Sequence, residues 1–169
     1  MFFLDYVATA RMVPARVTQV IVGVARGCKA NDCALLGGET AEMPGVYVEG
    51  ELDVAGTIVG CVARDKLLDG SRVQAGQVAL ALPSSGLHTN GFSLARRICF
   101  DQLEMQLDDR PKELGGKTLG EALLAVHKSY LKPLWPLLQD DLIAAMAHIT
   151  GGGLPDNSFL TPGSSAVTR

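Results

Sequence analysis

The sequence predicts a mixed chain of α/β or α+β class, built in two parts, and three observations lead there. Short apolar runs rich in β-branched residues, such as Leu-Asp-Val-Ala-Gly-Thr-Ile-Val from Leu52, have the length and composition of strands. Val17, Val20, Ile21 and Val24 recur at the i, i+3, i+4, i+7 spacing of a helix with one buried face. A polar, turn-rich stretch at 65–75 separates an earlier from a later group of elements. Residues 1–68 are therefore expected to form one part and 69–157 a second. Residues 158–169 lose apolar periodicity and read as an irregular tail.

Element by element, residues 2–7 read as an opening strand. The helix after it should run from Pro14, which suits a first turn, to Gly27, which suits a stop. Residues 33–36 form a short apolar strand that should end in the Gly37-Gly38 loop, and residues 52–63 a long strand. There Gly56 and Gly60 point to close packing against a neighbour. Residues 78–82 read as a strand that stops at Pro83, and Phe92 opens a helix to about Phe100. Residues 101–116 are charged and irregular. Thr118-Leu119-Gly120-Glu121 is a capping box. Pro133 and Pro136 make any helix over 130–138 short or kinked. A last apolar run at 144–149 leads into Thr150-Gly151-Gly152-Gly153.

Composition narrows the function classes. Of 169 residues, 47% are hydrophobic and 20% charged, with a mean hydropathy of +0.21, so the chain should bury a core. A net charge of −3 without a basic run argues against a nucleic-acid partner. No apolar stretch approaches the ~20 residues of a membrane span, and Met1-Phe2-Phe3-Leu4-Asp5 is not a signal peptide. Cys28, Cys33, Cys61 and Cys99 make no C-x-x-C pair and read as buried free thiols of a reducing cytosol, with zinc ligation the weaker alternative.

Chemistry concentrates where apolar runs meet glycine. Ser85, Gly86, His88, Asn90 and Gly91 lie between the 78–82 run and the Phe92 helix, where backbone N–H groups can cradle a phosphate; an ordinary surface loop is the other reading. The Gly86-x-x-x-x-Gly91 spacing is not a Walker loop, because Phe92 stands where that motif needs Lys. Glu39 and Glu42, three apart on a supposed turn, could hold Mg²⁺ or a ribose hydroxyl, take a proton, or simply be solvated. His148 closes the run before Gly151, Gly152 and Gly153; a lone His at that place is more often structural than catalytic. Three such transitions suggest one shared cleft that grips a phosphorylated ligand.

Gly37-Gly38-Glu39-Thr40-Ala41-Glu42-Met43-Pro44, Ser84-Ser85-Gly86-Leu87-His88-Thr89-Asn90-Gly91-Phe92 and His148-Ile149-Thr150-Gly151-Gly152-Gly153-Leu154-Pro155 together resemble the phosphoribosylformylglycinamidine cyclo-ligase (aminoimidazole ribonucleotide synthetase) family, in order from residue 2 to about 157. The resemblance implies a cytoplasmic, homodimeric enzyme of purine biosynthesis with two α/β domains and ATP and Mg²⁺ as cofactors. ATP would activate the formyl amide oxygen of formylglycinamidine ribonucleotide as a phosphate ester; the amidine nitrogen would then close the ring and phosphate would leave. By the same resemblance, His88 and Asn90 would be catalytic. Gly37, Gly38, Glu39 and Asp53 would bind nucleotide, with Glu39 also at the metal. Ser85, Gly86, Gly91, Thr150, Gly151 and Gly152 would line the substrate-phosphate cleft.

Residues 1–68 resemble the later half of the family's ATP-binding, dimerising domain, and 69–157 the earlier part of its second domain. The chain departs from the family where a glycine-rich segment, an Asp-Gly-x-Gly-Thr-Lys motif and an Asn-Asp motif would precede Phe2. It also has Val126-His127-Lys128-Ser129-Tyr130 in place of Pro-Thr-Arg/Lys-Ile-Tyr, and diverges after Asn157, so it reads as a truncated product. The other readings are a non-catalytic binding or dimerisation module of the same fold, and an ATP-dependent relative such as a selenophosphate synthetase or thiamine-phosphate kinase.

Overall fold

The computed structural model describes residues 1–157, so the tail expected at 158–169 lies outside the described residues. The chain divides into two units, Met1–Leu67 and Leu68–Arg169. The first contains a three-stranded sheet of order β2-β1-β3, with β1 Phe2–Thr9, β2 Ala34–Glu42 and β3 Leu52–Val59. β1 and β2 run parallel and are joined by helix α1, Pro14–Ala30; β3 runs antiparallel on the other side of β1. A parallel pair needs such a crossover, since a tight turn can only reverse direction.

Register sorts the side chains onto two faces, because opposed residues share a face and successive ones alternate. Tyr6 and Ala8 lie with Glu39 and Ala41 of β2 and with Ala55 and Asp53 of β3. Phe3, Asp5, Val7 and Thr9 lie on the opposite face, where Asp5, Val7 and Thr9 are buried. Two glycines make room there. A Cβ on Gly38 would collide with the backbone carbonyl and carboxylate of Asp5, and one on Gly56 with the Phe3 ring.

Several boundaries move from the expected ones. Gly37 and Gly38 are not a loop ending a short strand; β2 runs through them to Glu42, because after a register shift at Leu36 its pairing with β1 continues from Gly37 to Glu42. Glu39 and Glu42 therefore point to opposite faces rather than sharing a turn. β3 stops at Val59, short of residue 63. Helix α1 passes Gly27 and ends at Asn31, whose side-chain amide donates to the Gly27 carbonyl at 2.8 Å; Asp32 follows in the left-handed region at φ +50°.

The second unit is held by turns and short helices, and no strand occurs among its described residues. The strands expected at 78–82 and 144–149 do not form, because an extended apolar run becomes a strand only when a neighbour takes up its N–H and C=O groups. Helix α2, Phe92–Arg96, continues as a π-helical turn over Arg97–Gln102. Helix α3, Leu119–Leu123, carries the full capping box, with Thr118 Oγ1 accepting from Glu121 N and Glu121 Oε2 from Thr118 N. Helix α4, Leu131–Gln139, contains Pro136, and α5 spans Gly153–Asn157. Arg72 ties the first residues of the unit to later ones, donating to the Ile143 carbonyl at 2.7 Å and lying 3.5 Å from the Asp141 carboxylate.

The core expected from composition is small. Among the described residues, the buried apolar side chains are Val7, Ala8, Cys28 and Leu119, whereas Val78 and Leu80 are more than four-fifths exposed. Of the four cysteines only Cys28 is buried; Cys33 and Cys99 are half-buried and Cys61 is exposed, so the expectation of four buried thiols fails. Burial and the neighbouring Cys33 push the Cys28 thiol above its ordinary value.

Candidate functional site

The loop between residue 83 and α2 is built around Ser85 and His88. His88 occupies the left-handed region at φ +57°, an uncommon conformation for a residue with a Cβ, which folds its ring back over the loop. Its Nε2 accepts the Ser85 backbone N–H at 2.9 Å and lies 2.9 Å from the Ser85 hydroxyl. With Nε2 accepting, the proton of the neutral ring sits on Nδ1. The Ser85 hydroxyl also donates to the Val126 carbonyl at 2.9 Å and accepts the Lys128 N–H at 3.1 Å. One hydroxyl thus clamps residues 126–128 onto the loop.

That clamp gathers all three histidines of the chain. The His127 ring stacks on His88 with centroids 3.8 Å apart and planes 30° from parallel. His148 meets His127 edge-on at 6.2 Å, and Tyr130 lies 6.2 Å from both His88 and His127. Tyr130 is itself pinned by donating to the Pro83 carbonyl at 2.9 Å, with Lys128 Nζ 5.9 Å above its ring. Desolvation, followed by the charges His127 and His148 would carry, lowers the proton affinity of His88 below the ordinary histidine value. Near neutral pH, His88 is an uncharged imidazole that offers an Nδ1–H donor.

The other expected site residues divide. Asn90 donates to Thr89 Oγ1 at 3.1 Å, and Gly91 takes φ +85° to start α2. Gly86 is small because of the neighbouring chain, since a Cβ there would stand 3.2 Å from Ala125 Cβ. The Thr150 hydroxyl donates to Asn157 Oδ1 at 2.9 Å, and Asn157 Nδ2 donates in turn to the Gly151 and Gly153 carbonyls, so Asn157 closes that glycine turn from within. Gly152 takes φ +84° in it.

In the first unit, Glu39 and Asp53 share one face of the sheet. Asp53 Oδ2 accepts the Tyr47 hydroxyl at 2.9 Å, which holds the Tyr47 phenol above its usual range. Glu42 lies on the other face, where it accepts the Met12 N–H, and it lines an open hollow of about 450 Å³ with Arg11, Tyr47 and Glu49. Among the described residues no group of three or more His, Cys, Asp or Glu side chains is placed to hold a metal ion. Sequence reasoning singled out His88 and His148 as site candidates and named His127 and Tyr130 only within the segment that departs from the family pattern. The available signal was that His127 belongs to the only other His-bearing segment of a chain with three histidines.

Residues 1–62 match the family model described as AIR synthase related protein, N-terminal domain, and residues 74–159 the one described as AIR synthase related protein, C-terminal domain. The chain is 52% identical over 158 residues to a phosphoribosylformylglycinamidine cyclo-ligase of Picosynechococcus sp., covering 93% of this chain and 46% of that protein. It is 53% identical over 157 residues to a protein of the same name from Desulfitobacterium hafniense, covering 93% of this chain and 45% of the relative. With one from Anaeromyxobacter sp. it is 51% identical over 169 residues, 99% of this chain and 48% of the relative. The chain therefore spans about half the length of the curated relatives it matches. With both of its units matched in order, it belongs to the AIR synthase related family and resembles the phosphoribosylformylglycinamidine cyclo-ligases within it.

Proposed function

We propose that this chain is a portion of an ATP-dependent cyclo-ligase that converts formylglycinamidine ribonucleotide to aminoimidazole ribonucleotide, releasing ADP and phosphate. The observation that carries the reading is His88. In the family-matching loop it is held uncharged with its donor edge defined by Ser85, as a group that must hydrogen-bond a reacting amide or a phosphate near neutral pH has to be. Asn90 stands two residues on as a further donor, and the turns at Gly91 and Gly152 allow backbone to approach an anion. In the second unit residues 85–91 and 150–152 would line the substrate-phosphate site, and in the first Gly37, Gly38, Glu39 and Asp53 would hold nucleotide.

Hard carboxylate oxygens such as those of Glu39 and Asp53 suit Mg²⁺, which is usually held by one or two carboxylates together with substrate phosphates. Bound there, the ion would neutralise charge developing on the transferred phosphoryl group. Residues 1–68 would belong to the ATP-binding, dimerising domain of a homodimer and 69–157 to a second α/β domain, in the cytoplasm.

The test is a chimera in which residues 1–157 replace the corresponding stretch of the Picosynechococcus relative. Substrate-dependent ADP release is expected from the chimera, whereas the 169-residue chain alone should stay far below the roughly 1 s⁻¹ typical of enzymes. His88→Ala in the chimera should lower kcat by about 10²-fold or more with little change in melting temperature. A folded chimera that binds neither ATP nor the ribonucleotide would sink the reading.

A further inference from the structure

The geometry points to His127 as a positioning residue for His88: its stacked imidazole holds the His88 ring in the one orientation that keeps Nε2 on Ser85 and turns Nδ1–H outward as the donor. This rests on His88 being the site histidine of the proposed cyclo-ligase.

Three observations converge on it. The two rings overlap at 3.8 Å and 30°, closer and flatter than any other ring pair in the cluster. His127 is not free to swing, because the Ser85 hydroxyl grips the backbone on both sides of it, at the Val126 carbonyl and the Lys128 N–H. Its own Nδ1–H donates to the Lys128 carbonyl at 2.8 Å, which fixes the ring plane presented to His88. Ser85 thus holds His88 directly through Nε2 and indirectly through the ring laid on its face. An imidazole hydrogen-bonded at one nitrogen alone can still pivot about that bond; a stacked neighbour removes the pivot.

The stack also has an electrostatic consequence. The titratable groups around His88 are His127 on its face, His148 behind His127, the Tyr130 phenol at 6.2 Å, and the Lys128 ammonium above Tyr130. A positive charge on the ring stacked at 3.8 Å disfavours a second one on His88, which, after desolvation, is one cause of the lowered proton affinity of His88.

Imidazole nitrogen NMR of the 169-residue chain tests this without substrate. Two-bond ¹H–¹⁵N correlations report which nitrogen of each of the three histidines carries the proton, and at what pH each titrates. The wild-type chain should show His88 protonated on Nδ1 and titrating below the ordinary histidine value of about 6.5. In His127→Ala and His127→Gln the His88 ring should become a mixture of tautomers, with its midpoint moving up toward that value. His127→Phe, which keeps an aromatic face and removes the charge, should restore the single tautomer while leaving the midpoint raised.

His127 is exposed, so these variants keep the fold, and circular dichroism checks that. An unchanged His88 tautomer and midpoint in the folded Ala or Gln variant overturns the proposal, as does a Phe variant that scrambles the tautomer as far as Ala does. Because the readout needs no turnover, a chimera that fails to bind ATP or ribonucleotide, with the NMR pattern as expected, refutes the ligase reading and leaves the positioning role standing.

Discussion

At the scale of single residues, adjacent glycines of identical appearance in the sequence do different work. Gly38 lies against Asp5, and a methyl group there meets backbone that cannot shift without opening the β1–β2 ladder; Gly37 has open space around its missing Cβ. Gly38→Ala should therefore cost about 1–3 kcal/mol in urea unfolding, whereas Gly37→Ala should stay within about 0.5 kcal/mol. If Gly37 contacts nucleotide, its alanine variant in the chimera weakens ATP binding at unchanged stability; unchanged ATP affinity would remove Gly37 from the site. His88 makes a pH prediction. Its proton affinity is lower in the folded chain than in the unfolded one, so acidification favours unfolding. The contribution is complete above the ordinary histidine value of about 6.5 and is lost as pH falls through the lowered one. Urea midpoints of the wild type and His88→Gln should accordingly draw together below about pH 6.5; a difference constant down to pH 5 would show that His88 is not held neutral.

At the scale of elements, what could be read from sequence was what neighbours in sequence decide. The capping box at Thr118 and Glu121 needs only residues three apart, and it is present as both reciprocal hydrogen bonds. Since α3 has five residues, Thr118→Ala should cost about 1 kcal/mol and lower the melting temperature. An unchanged melting temperature would mean that tertiary contacts at buried Leu119 hold the helix alone. Helix α1 was legible from its apolar stripe, but its end was not, because Gly27 lies within it and Asn31 supplies the cap. Strands are pairings rather than segments. The run at 78–82 has a strand's composition and no strand partner among the described residues, and Gly37-Gly38 has a loop's composition and a partner in β1 at both positions. The Ser85–Val126 clamp joins residues 41 positions apart, so nothing local announced that His127 would lie on His88.

At the scale of the whole molecule, the family could be read from three motifs kept in order, while the extent of burial could not. Composition describes a chain able to form a core, yet the described residues leave Leu36, Val78 and Leu80 largely exposed. Among the described residues both outer strands, β2 and β3, also have a partner on one side only. Exposed apolar side chains and unpaired ladder edges favour association. The 169-residue chain should therefore sediment as a concentration-dependent mixture and bind a hydrophobic dye, and Leu80→Lys should reduce both effects. A sharp monomer boundary at all concentrations would show that these surfaces are covered within one chain.

The sheet order has a consequence for timing during synthesis. β1 carries most of the unit's buried residues and lies between the other two strands, yet it leaves the ribosome before either. At about 5–20 residues per second, the stretch from Thr9 to Ala34 takes on the order of seconds to emerge. Throughout that interval neither β2 nor β3 has emerged to pair with β1 around Val7 and Ala8.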